Sequence, residues 1–64
     1  MAAGRKNMLV CDYIVQQIDG DYAHLRRVDM MEEAPKLVAR ALLPQEIREG
    51  STLHYEMMQY TLID

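Results

Sequence analysis

Cys11, His24 and His54 are the side chains in this 64-residue chain best suited to nucleophilic or metal chemistry. A cysteine–histidine pair needs hydrogen-bond contact, with a third group to orient the base. A structural zinc site needs four N or S ligands, and one cysteine with two histidines falls short. Alternation puts His24 and His54 on the outer faces of separate strands and Cys11 in the first strand. The sequence therefore predicts a small buried cysteine and two surface histidines. Carboxylates come as Asp19 with Asp21 and as Glu32-Glu33. Acid–base work needs a carboxyl whose pKa a pocket has raised, whereas turn carboxylates sit in water. A turn at Asp19-Gly20 already accounts for the first pair. Glu49-Gly50-Ser51 is too short to cradle a phosphate. No catalytic, cofactor-binding or metal-binding residue is expected, and the chain reads as a non-enzyme.

Two other groups are suited to binding. Arg26, Arg27, Lys36 and Arg40 would share one side if the second and third strands pair, making a local basic patch near Tyr22. Small barrels bind single-stranded nucleic acid with such patches and stacking aromatics. A solvated face that discourages edge aggregation is the plainer reading. The acidic balance, ten Asp and Glu against seven Lys and Arg with a net charge of −3, also disfavours a phosphate backbone as partner. The second group is Met8, Tyr55, Met57, Met58, Tyr60 and Leu62, joined by Leu9. Alternation assigns these residues to both faces of the terminal strands. A sheet apolar on both faces cannot be covered by one chain of this length, so one face should meet another chain; core filling under the tail is the alternative.

Length makes such help welcome. A domain this small buries only about 60 % of the surface its unfolded chain exposes. Disulfides, a metal or a partner usually compensate. With one cysteine no internal disulfide forms, which fits a reducing compartment and leaves association as the expected support. Arg5-Lys6 is followed by only a short apolar run before Asp12, too short for a signal core or a membrane span, so a cytoplasmic location is expected.

The elements that would position these groups are strands. Residues 1–7 lack a pattern and read as a flexible tail, and residues 8–64 as one small domain. Residues 8–18 are rich in Val, Ile and Tyr, and residues 22–28 form a second strand. Asp19-Gly20 supplies the positive φ of a two-residue hairpin turn, which sets Ile18 opposite Asp21, Gln16 opposite Ala23 and Ile14 opposite Leu25. A three-residue loop with a bulge at Gly20 would shift that register. The inner face would be Ile14, Ile18, Ala23 and Leu25. Helix formers in residues 30–43 suggest a helix, but Pro35 argues for a third strand at residues 36–42. Pro44 and Gly50 bracket a short helical turn at residues 44–48, with Leu43 and Ile47 plugging the open end. One long last strand, residues 52–63, would pair with the first, setting residues 8–13 beside residues 57–62.

Two phrases, Gln16-Gln17-Ile18-Asp19-Gly20-Asp21-Tyr22-Ala23-His24-Leu25 and Leu43-Pro44 through Glu49-Gly50-Ser51, resemble a short bacterial family of small β-barrels without an assigned activity. The resemblance covers about residues 14–55. Departures are Gln16-Gln17 in place of a charged pair, a longer connection at residues 29–35, Ser51 in place of an acid, and Tyr60-Thr61-Leu62-Ile63-Asp64 where a charged helix often stands. The resemblance implies a small barrel and a bacterial source, and no chemistry.

The expectation is an all-β chain: a small antiparallel barrel or curled sheet of four to five strands, with one short helical turn near residues 44–48. The expected function is a non-enzymatic interaction module that binds a protein partner or itself without cofactor or membrane, with nucleic-acid binding as the alternative.

Overall fold

A computed structural model describes residues 10–63 of the chain. The expected tail at residues 1–7, and Met8 with Leu9, lie outside the described residues. Five strands form one antiparallel sheet curled into half a barrel: β1 (Val10–Asp19), β2 (Tyr22–Arg27), β3 (Lys36–Ala39), β4 (Thr52–Glu56) and β5 (Gln59–Leu62). Their order across the sheet is β3-β2-β1-β4-β5, so β1 is central and β3 and β5 are the edges. The core lies on the concave side and is built from Cys11, Tyr13 and Val15 of β1, Ala23 and Leu25 of β2, Val38 of β3, Leu53 of β4, and the loop residues Leu43 and Ile47.

The inner face of β1 differs from the sequence expectation. Ile14 and Ile18 are four apart, which puts them on one face of an unbroken strand. β1 is broken: Val15 pairs with Leu25 and Gln17 with His24, leaving Gln16 as the extra residue of a β-bulge. The bulge brings Val15 and Ile18 onto the core side and turns Ile14 outward. Ala23 and Leu25 are buried as expected. The hairpin turn also moves by one residue. Asp19 pairs with Tyr22 and Ile18 with Ala23, so the loop is Gly20-Asp21 rather than Asp19-Gly20. Gly20 has φ of +61° at the first loop position, where glycine suits a tight hairpin.

The second phrase closes against this hairpin. β3 begins at Lys36 as expected, but ends at Ala39 and passes into a short helical turn, Arg40–Leu42. That turn falls earlier than residues 44–48. Leu43 ahead of Pro44 is extended (φ −118°, ψ 159°), because the proline ring disfavours a helical conformation in the preceding residue. Residues 44–47 form a simple turn, with the Ile47 N–H reaching the Pro44 carbonyl at 3.5 Å. Leu43 and Ile47 still plug the core. Gly50, with φ of +98°, lets the chain run back along β1. Its N–H donates to the Val15 carbonyl (2.8 Å), and the Val15 N–H donates to the Ser51 carbonyl (2.8 Å). Further along, the Glu49 carboxylate accepts the Ile18 N–H at 2.9 Å, in place of the strand β1 lacks there. Buried Ser51 is satisfied locally, its Oγ accepting the Arg48 N–H at 3.0 Å.

The long final strand is the largest correction. Residues 52–63 fold into a hairpin, β4–β5, turning at Met57-Met58. β1 therefore pairs with β4, Val10 opposite Glu56 and Tyr13 opposite Leu53, and not with residues 57–62.

Candidate interaction surface

The β4–β5 hairpin collects most of the residues read as an interface and divides them. Tyr55, Tyr60 and Leu62 lie on the concave side, half-buried against the core. Tyr55 stands opposite Tyr60 across the hairpin, their ring centroids 4.8 Å apart. Each ring also meets Tyr13 of β1, at 6.3 Å edge-on for Tyr55 and 6.0 Å for Tyr60. Aromatic pairs at such separations add about 0.5–1.5 kcal/mol beyond area burial. Burial pushes the Tyr13 phenol pKa upward, and a hydrogen bond with Cys11 adds to the shift. These rings extend the core along the hairpin.

Met57 and Met58 stand apart at the tip. A two-residue turn with both residues in the left-handed region is the conformation that Asn-Gly adopts readily and that side chains with a Cβ resist. Met57 has φ of 53° and Met58 φ of 64°. The two residues are 68 % and 85 % exposed, so no packing among the described residues offsets the backbone cost. Met8, the remaining residue of the group, lies outside the described residues.

The four cations do not share one side, although β2 and β3 do pair. Lys36 stands opposite Leu25 and so projects over the concave face, its Nζ 5.8 Å from the Tyr13 ring centroid and 5.5 Å from that of Tyr55. Arg27 shares that face and is paired with Asp29 (Nε to Oδ1 2.8 Å, Nη2 to Oδ2 3.1 Å), which holds the Asp29 carboxyl below its usual range. Arg26 points to the convex face. Its guanidinium donates to Gln16 Oε1 (2.8 Å) and to the carbonyls of Met31 and Glu33, pinning the connection to β3. Arg40 lies in the helical turn, where its backbone N–H donates to the Asp21 carbonyl at 2.8 Å. Single-residue alternation at Leu25-Arg26-Arg27 separates the arginines.

Cys11 is buried on the concave side, while His24 and His54 project from the convex side, so these residues do not converge. His24 Nε2 lies 3.9 Å from Asp19 Oδ2. His54 is clamped between carboxylates, its Nδ1 2.7 Å from Asp12 Oδ1 and its Nε2 3.0 Å from Glu56 Oε1. A neutral imidazole has a single N–H and can donate to only one of them. The bonds to Asp12 and then to Glu56 hold the His54 pKa above its ordinary value. The spacing of His54 and Glu56 on one strand face was legible in the sequence, but the arrival of Asp12 depends on the β1–β4 register.

Comparison of the chain with known protein families, with curated proteins and with solved structures finds no match.

Proposed function

We propose that the chain is a non-enzymatic interaction module that engages a protein partner, or a second copy of itself, through the β4–β5 hairpin. The observation that carries this reading is the tip: two methionines held in left-handed backbone with their side chains in water. Strain that no contact among the described residues offsets supports a use outside the chain. Methionine is unbranched and polarisable, and so adapts to an irregular apolar pocket. The separation of Arg26 from Lys36, and the Asp29 partner of Arg27, weigh against the nucleic-acid alternative. Membership of the small-barrel family is part of the same proposal and rests on the two phrases alone. A bacterial source rests on them too, while a cytoplasmic location rests on the lone cysteine and the short apolar run before Asp12.

The test is affinity capture on the full chain from nuclease-treated source lysate, with Met58→Asp alongside. A stoichiometric protein captured by the wild type and lost in the variant, at unchanged melting temperature, supports the reading. Capture that Met58→Asp leaves intact, or that nuclease abolishes, contradicts it.

A further inference from the structure

The two edges of the sheet are finished differently. β3 enters behind Pro35, carries Lys36 and ends in a helical turn containing Arg40. These devices block edge-to-edge pairing. β5 reads Gln59-Tyr60-Thr61-Leu62, with no charge, proline or glycine. Its hydrogen-bond phase is fixed by the Ile63 N–H, which donates to the Thr52 carbonyl at 3.1 Å. Alternate residues of an antiparallel strand turn their N–H and C=O to opposite sides, so Thr61 and Gln59 bond toward β4. The N–H and C=O of Tyr60 and of Leu62 face away from the sheet, with no partner among the described residues.

We propose that this edge pairs with the β5 edge of a second copy of the chain, antiparallel, about a two-fold axis at Thr61. With Thr61 opposite Thr61 of the second copy, Tyr60 and Leu62 of the second copy form hydrogen-bonded pairs. Every outward N–H and C=O of Tyr60 and Leu62 is then satisfied. A different register leaves some of them open. A second copy is the occupant that fits, because an uncharged strand meets itself without repulsion, whereas antiparallel self-pairing at β3 would bring the cations Lys36 and Arg40 of the two copies close together. The union would also continue the half-buried Tyr60 and Leu62 of one concave face into those of the other. This inference rests on the interaction reading above and names the partner of the hairpin's edge, independently of what the methionine tip contacts.

The experiment is sedimentation velocity of the full chain over a concentration series, with Thr61→Lys and Thr61→Val. Thr61 is exposed on the convex face, so neither change touches the core. The proposal expects a species of twice 7.4 kDa at high concentration. Thr61→Val should keep it, and Thr61→Lys should weaken it at least about tenfold by setting like charges face to face. Register is read in a Cys11→Ser background, where Thr61→Cys should cross-link on oxidation faster than Gln59→Cys. A monomer at every concentration, a dimer indifferent to Thr61→Lys, or faster cross-linking through residue 59 would overturn it. A monomer that still captures a Met58-dependent protein overturns the dimer and leaves the interaction reading standing. A Thr61-dependent dimer with no Met58-dependent capture upholds the pairing and removes the methionine tip from the account.

Discussion

The β1–β2 and β4–β5 hairpins both turn through two residues, Gly20-Asp21 and Met57-Met58, and they solve the turn in opposite ways. At the first, the positive φ falls on glycine, which adopts it freely, and the Arg40 N–H braces the Asp21 carbonyl. Glu49, Gly50 and Ser51 then fill the irregular edge of β1 behind it. At the second, positive φ falls on two methionines, and their side chains reach into solvent. The first hairpin is built to hold the fold. The second carries a cost of about 1–3 kcal/mol for each strained residue, which the fold does not require. The two phrases that stand out in the sequence are thus structural: they bind each other. The segment that stands out in the structure has no turn signal at all.

The comparison predicts unequal sensitivity. Leu25→Ala, at a side chain 1 % exposed behind the braced hairpin, should lose about 2–5 kcal/mol of stability and leave a domain this small largely unfolded by circular dichroism. Met58→Ala should change stability by no more than about 0.5 kcal/mol, the range for an exposed site. Equal losses would erase the distinction between the hairpins. Gly20→Val should cost about 1 kcal/mol or more in denaturant unfolding, since a β-branched residue resists the φ of +61° found there. A neutral result would mean the first turn is not held by glycine.

The smallest expected effect concerns pH. The folded-state pKa of His54 is raised by Asp12 and Glu56, so protonation stabilises the fold. That contribution is complete below the ordinary histidine value near 6.5 and is lost as pH rises through the raised folded value. Urea midpoints should therefore drift down between about pH 6 and pH 8. The part of that drift due to His54 should vanish in His54→Gln. An upward drift would contradict the clamp at the root of the β4–β5 hairpin.

Much of the architecture was legible because alternation and turn chemistry are local. Ala23 with Leu25, the Lys36 start of β3, the plug of Leu43 and Ile47, and the all-β curled sheet follow from residue types. The structure departs from the sequence expectation at features no local signal carries. The bulge at Gln16 inverts the inner face of β1 before it, and nothing in Gln16-Gln17 announces it. Met57-Met58 lacks Gly, Asn and Asp, so the alternation runs through the turn without a break signal. The unbroken pattern makes residues 52–63 look like one strand, whereas of its two halves only β4 pairs with β1. The same hairpin divides the apolar group: Tyr55, Tyr60 and Leu62 extend the core, while the methionines beside them do not. The four cations do not gather on one side because neighbouring arginines on a strand face opposite sides.

The most direct measurement is the unfolding free energy of Met57→Asn with Met58→Gly against the wild type, in denaturant at one protein concentration. The account predicts that the variant, given residues that adopt the left-handed turn readily, is more stable by about 1–2 kcal/mol with an unchanged denaturant slope. A variant no more stable than the wild type would contradict the claim that the methionine turn is held against its own backbone preference.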